Sequence, residues 1–244
     1  MSDFFDLTKP IIVAHRGASL LAPENSLEAF DLAYQMGADW VECDVVLTAD
    51  HLPVILHDRS LWRTARKRIN IDALSNEALK NYNIAASFSK SHPFTTIPSL
   101  QELLELALHY QRGINIEIKP FTTEYALETA AHTWQIIKPY VDRIPILISS
   151  FEEEVLCWYK QYAPAVKRAY LLPHWKADWL EKAKALDVVS IHCHEKLLNP
   201  MHLSAFKLNN YIVLAYTVNT VDQAHALWAM GVDGFFSDDP KLLD

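Results

Sequence analysis

Trp40-Val41-Glu42-Cys43-Asp44-Val45-Val46-Leu47 is the stretch on which the fold turns. It reads as a β-strand, apolar except for two carboxylates two positions apart. In a strand that spacing puts both on one face, about 6.5–7 Å apart along the backbone. Acids are costly to bury unless they are paired or bind something. The runs on either side carry similar cargo at their ends. Ile11-Ile12-Val13-Ala14 closes in His15-Arg16-Gly17, and Leu52 to Leu56 closes in His57-Asp58. Three successive strand-like segments therefore deliver imidazoles, a guanidinium and carboxylates to one region. That set suits metal-assisted chemistry on a phosphate.

Outward from this stretch, apolar strand-like runs alternate with helix-like segments. Ser26 to Gln35 reads as the first helix, with Asn25 as N-cap, Glu28 as the matching acid three residues on, and Gly37 ending it. Residues from Asp58 to about Ile97 break the rhythm and read as an insertion after strand two, too long for an ordinary connection. Its basic run, Arg63 to Arg68, reads as a solvated face. A helix over Ser99 to Tyr110 follows, then strands at Ile114–Ile118, Ile144–Ile148, Ala169–Leu172, Val188–His192, Tyr211–Val218 and Gly234–Ser237, with helices between them. About eight strand–helix repeats is the number that closes a barrel. An open doubly wound sheet is the alternative, but no GxGxxG follows the first strand. The fold class is α/β, a (β/α)8 TIM barrel as a single domain over residues 1–244, with the insertion at about 58–97.

A barrel carries its active site at the C-terminal ends of its strands. The polar residues expected there are His15, Arg16, Glu42, Asp44, His57, Glu117, Lys119, Ser149, His192, His194, Tyr216 and Asp238. In Ile116-Glu117-Ile118-Lys119 the isoleucines face the helices, which turns Glu117 and Lys119 inward. Glu42, Asp44 and Glu117 converging from neighbouring strands suit one divalent cation with oxygen ligands, Mg²⁺, Ca²⁺ or Mn²⁺. The competing reading is a structural ion network in which Arg16 and Lys119 pair these acids. His15 and His57 read as an acid/base pair. Arg16 and Lys119 suit phosphate oxygens. Ser149 lines the pocket, since no GxSxG elbow marks it as a nucleophile. Of His192 and His194, one is expected at the mouth and the other facing away. Asp238-Asp239-Pro240 reads as a helix start.

Composition narrows the classes. The 22 basic and 30 acidic residues leave a formal charge of −8, with no basic stripe, so nucleic acid is an unsuitable partner. No apolar segment reaches the length of a membrane span, and the first residues lack a signal-peptide pattern. Cys43, Cys157 and Cys193 are widely spaced and read as reduced, buried thiols. The expectation is a cytoplasmic protein acting on a small molecule, without stable membrane insertion.

The ordered set Ala14-His15-Arg16-Gly17, Pro23-Glu24-Asn25-Ser26, Gly37 to Val45, Pro53 to Asp58, Glu117-Ile118-Lys119, Tyr216-Thr217-Val218-Asn219 and Gly231-Val232-Asp233-Gly234 resembles the glycerophosphodiester phosphodiesterases over nearly the whole chain. The resemblance implies a TIM barrel with a small insertion after strand two. It implies a divalent cation on Glu42, Asp44 and Glu117, His15 and His57 as general acid and base, and Arg16 and Lys119 on the phosphate. The implied reaction splits sn-glycerol-3-phosphodiesters into sn-glycerol 3-phosphate and an alcohol. The insertion is implied to cap the mouth and meet the glycerol or headgroup. Two departures stand out. Leu61-Trp62-Arg63-Thr64-Ala65 replaces the usual Leu-Asp-Arg-Thr-Thr, and Tyr216 stands where tryptophan is usual. A lysophospholipase D-like activity, with Trp62, Phe88, Phe151 and Trp175 lining an apolar groove, is the second enzymatic reading. A non-catalytic binding protein on the same barrel is the third.

Overall fold

The computed structural model describes residues 4–243. The elements are β1 (Ile11–His15), α1 (Leu27–Gln35), β2 (Trp40–Leu47), β3 (Pro53–Ile55), α2 (Trp62–Ala65), α3 (Asn76–Leu79), α4 (Leu100–Tyr110), β4 (Gly113–Ile118) and α5 (Ala126–Ile137). They continue with β5 (Ile146–Ser150), α6 (Glu153–Tyr162), β6 (Lys167–Leu172), α7 (Trp179–Leu186), β7 (Ser190–His194), α8 (Pro200–Leu208), β8 (Ile212–Tyr216), α9 (Val221–Met230) and β9 (Gly234–Ser237). Eight strands pair in parallel, and β1 bonds to both β2 and β9, which closes the (β/α)8 barrel. The short β3 folds back antiparallel on β2 and stays outside the ring.

Period-two alternation sorts each strand between two cores. Val13, Trp40, Leu147, Ala169, Ile212, Leu214 and Phe236 pack inside the barrel with Phe5 and Ile11. Ala14, Val41, Cys43, Val45, Ile114, Ile116, Ile148, Ile191, Val213 and Phe235 face the helices. The inner layer has no slack at Trp40. A Cβ on Gly113, the residue paired with Trp40, would stand 2.5 Å from the indole. Gly113→Ala is therefore expected to cost about 1–3 kcal/mol through overpacking. A thermal melt reads this as a drop of about 2–4 °C per kcal/mol. An unchanged melting temperature would mean the indole can move aside.

The insertion holds α2, α3 and two short 3₁₀ turns over a small core of its own, built on Leu56, Leu61, Ala65, Ile71 and Leu79 with Val46 and Val54. Three local expectations are corrected. Ser26, not Asn25, caps α1, accepting from the Ala29 N–H at 3.1 Å, because Asn25 sits in the left-handed region (φ 56°) and spends its amide elsewhere. The fifth strand runs two residues further than its apolar run, so Ser149 and Ser150 lie inside it. Cys43 and Cys193 are buried as expected, whereas Cys157 is exposed on α6. Among the described residues no helix is long and apolar enough to cross a membrane.

Candidate active site

Register assembles the acids. Asp44 on β2 pairs with Glu117 on β4, and Glu42 lies between His15 on β1 and Asn115 on β4. One oxygen of each of Glu42, Asp44 and Glu117 falls within 4.8 Å of the others. Arg16 Nε stands 3.3 Å from Asp44, and Lys119 Nζ stands 3.5 Å from Asp44 and 3.7 Å from Glu117. The Arg16 backbone N–H donates to Glu42 at 3.0 Å, and Asn25 Nδ2 donates to Asp44 at 2.9 Å. Gly17 makes that loop possible, since a Cβ there would come within 2.6 Å of the Ala29 backbone.

Both sequence readings of this cluster have a counterpart in the geometry. The ion network exists, but it leaves Oε1 of Glu42 and Oε1 of Glu117 buried without a hydrogen bond. Orphaned acceptors of that kind cost free energy. Burial, then the neighbouring Asp44 charge, pushes the Glu117 carboxyl up to about 7, and the same two causes hold Glu42 well above the usual carboxylate range. Asp44 is also pushed upward by burial, but Lys119 and Arg16 outweigh it and hold its carboxyl low. Three acids against two cations leave one negative charge in excess. A divalent cation on the orphaned oxygens would reverse that sign and leave the site net positive by one, matched to a phosphodiester monoanion. The donor set is all oxygen, which fits a hard cation.

The two histidines are held alike. His15 Nδ1 donates to Asp238 Oδ1 at 2.7 Å, and His57 Nδ1 donates to Asp58 Oδ1 at 2.6 Å. Ser19 Oγ and Asn219 Nδ2 also donate to Asp238, at 3.0 and 2.6 Å. Hydrogen bonds from these partners overcome burial and hold the Asp238 carboxyl low, as Arg63 and His57 do for Asp58. Each carboxylate is thus an acceptor that fixes one tautomer, leaving Nε2 as the free ring nitrogen. Burial, aided by Arg16 and Lys119, lowers the His57 pKa below its ordinary value. That direction favours the neutral imidazole.

These groups line a cavity of about 540 Å³ at the C-terminal ends of the strands. His15, Arg16, Glu42, His57, Glu117, Lys119, Ser149 and Tyr216 all reach it, while Asp44 lies behind them in contact with Arg16 and Lys119. Ser149 Oγ accepts from Asn115 Nδ2 at 3.0 Å, and the Tyr216 hydroxyl is buried without a partner. His192 corrects an expectation. It does not face away but lies inside the barrel, fully buried against Phe236, where burial drives its pKa down to about 3. His194, two residues on and therefore on the same face, reaches the mouth beside Tyr216.

Three groups escaped sequence reading. Asp238 is not a helix-start cap but the partner of His15, 223 positions away. Asn25 binds Asp44. Arg63 lies on the solvated face expected of the basic run, yet its guanidinium also pairs with Asp58 and Glu24. Asp58, unlike these three, carried a local signal in its adjacency to His57. The insertion itself supplies none of the lining side chains.

The sequence pattern of the glycerophosphoryl diester phosphodiesterase family matches residues 15–242. A glycerophosphodiester phosphodiesterase of Caldanaerobacter subterraneus is 30% identical over 235 residues, 96% of each chain. One from Bacillus altitudinis is 32% identical over 243 residues, 94% of each chain. Among solved structures, an Oleispira antarctica phosphodiesterase in complex with the product sn-glycerol-3-phosphate shares 35% identity at a TM-score of 0.91, covering 95% of this chain and 94% of that one.

Proposed function

This chain belongs to the glycerophosphoryl diester phosphodiesterase family, and from that premise we propose that it hydrolyses glycerophosphodiesters to sn-glycerol 3-phosphate and an alcohol in a cation-dependent reaction. The observation that carries the reading is the pair of carboxylate-held histidines flanking a buried acid cluster in one cavity. Glu42, Asp44 and Glu117 would hold Mg²⁺, Ca²⁺ or Mn²⁺, which when bound supplies Lewis-acid stabilisation of the phosphoryl oxygens. Arg16 and Lys119 offer N–H donors to the same oxygens and oppose the charge that builds there. His57 enters as neutral imidazole and accepts a proton from the attacking oxygen, either of water or of the neighbouring glycerol hydroxyl, the latter giving a cyclic phosphate that water then opens to sn-glycerol 3-phosphate. His15 delivers a proton to the leaving alcohol as its P–O bond breaks. Asp58 and Asp238 hold the two rings in place throughout. The three free cysteines support a reducing, cytoplasmic setting.

Cation binding should follow pH with a definite sign. Glu117 is held at about 7 and Glu42 also high, so an entering cation must displace protons. Calorimetric Mn²⁺ affinity is expected to fall between about pH 8 and about pH 6, with proton release detectable by changing the buffer. Affinity flat over that window would place both carboxyls at ordinary values.

The deciding experiment is a headgroup panel assayed with Mg²⁺, Ca²⁺ and Mn²⁺ and again after chelation. Turnover that vanishes on chelation and returns with the ion is the expected result. No phosphodiesterase activity with a cation demonstrably bound would favour a binding protein on the same barrel. The lysolipid reading gains little from the structure. Of its four aromatics only Phe151 lines the cavity, while Trp175 stacks on His202, Trp62 lies under Arg68 and Phe88 meets His92.

A further inference from the structure

The insertion reaches the site without lining it. Arg63, on α2, donates from Nε to Asp58 Oδ2 at 2.5 Å and from Nη2 to Glu24 Oε1 at 2.7 Å, and its Nη1 donates to Glu24 Oε2. Asp58 uses its other oxygen to accept from His57. Glu24 Oε1 also accepts from Arg16 Nη1 at 3.0 Å. One guanidinium thus spans two carboxylates, and each of those holds a different side chain of the cavity wall.

We propose that Arg63 is a positioning residue of the active site, setting the His57 ring through Asp58 and the Arg16 guanidinium through Glu24. The inference rests on the phosphodiesterase reading for what His57 and Arg16 do, though the contacts stand apart from it. Three N–H groups on a rigid planar fork cannot follow their acceptors independently, so Asp58 and Glu24 are fixed relative to each other. The fork is itself anchored, because Leu61 and Ala65 on either side of it are buried in the core of the insertion. Arg63 is 45% exposed, so its ion pairs are screened and add little to stability taken singly. Its contribution is geometric. A lysine, a point charge on a flexible stem, would not hold both carboxylates in the fixed geometry that the planar fork imposes. The insertion, on this account, completes the orientation of both the acid/base group and the phosphate-binding group.

Arg63→Ala is expected to lower kcat about tenfold to hundredfold, the scale of a misplaced catalytic group, with little change in melting temperature. Guanidinium chloride at non-denaturing concentration should restore part of the loss, whereas Arg63→Lys should stay impaired. Combined with Asp58→Asn, the loss in the double variant should be smaller than the product of the two single losses, because both act on one ring. The Nδ1 proton resonance of His57, assigned by its disappearance in His57→Ala, should shift or broaden in Arg63→Ala and return with guanidinium. Natural kcat with an unmoved resonance would overturn the inference. So would losses that multiply fully, or an activity loss that tracks melting temperature and resists guanidinium. If the natural chain hydrolyses no glycerophosphodiester, the functional reading fails, and the His57 resonance still decides the positioning role.

Discussion

His57→Ala is expected to lower kcat on glycerophosphocholine by about 10²–10⁴-fold, the range for losing a positioned acid or base, with cation binding preserved. The ring offers Nε2 to the cavity only because Nδ1 is tied to Asp58 and burial keeps it neutral. Alanine removes the proton acceptor but leaves Glu42, Asp44 and Glu117 in place. His15→Ala should fall as far, through loss of the donor held on Asp238. The double variant should be little worse than either single one, since residues acting in one step are not additive. Steady-state kinetics beside calorimetric Mn²⁺ binding checks all three variants. A single variant near the natural rate would remove that histidine from the proton transfers.

Glu42→Gln should separate catalysis from stability. The Glu42 carboxyl is buried, its Oε1 has no hydrogen-bond partner, and burial with the charges of Asp44 and Glu117 holds its pKa well up. Glutamine copies the protonated form, keeps an acceptor for the Arg16 N–H, and removes the cost of burying or neutralising a carboxylate there. Without cation, the variant is expected to be more stable by about 1–2 kcal/mol, the gain seen when a functional site is relaxed. That appears as a melting temperature higher by about 2–4 °C per kcal/mol. With saturating cation the order should reverse, because only the natural chain gains strongly from binding. Cation-dependent turnover should be lost. A variant less stable in both conditions would mean that Glu42 serves the fold rather than the cation.

The parts of this site that alternation governs were legible before any coordinates. Glu42, Asp44 and Glu117 share a face because a strand repeats every two residues, and β2 and β4 bond side by side. The same rule carried the helix-facing isoleucines, and it also explains why His192 lies inside rather than facing away. Loop positions were less legible. Asn25 and Ser26 are both good caps by residue type, and only the left-handed backbone at Asn25 decides between them. Asp238 could not be paired with His15 from local pattern, because the contact depends on β9 closing against β1. Arg63 was hidden for another reason. A basic run reads as solvated until the acids that meet it, Glu24 and Asp58, are known to be near.

The bond between His15 and Asp238 joins the first strand of the barrel to the residue just after its last. The three acids and both histidines lie between β1 and β4, while the partner of His15 follows β9. Asp44 and Glu117 meet through the pairing of β2 with β4, whereas the His15 ring is steadied from across the seam where β9 meets β1. The orientation of His15 therefore depends on closure of the barrel, and the pairing of Asp44 with Glu117 does not.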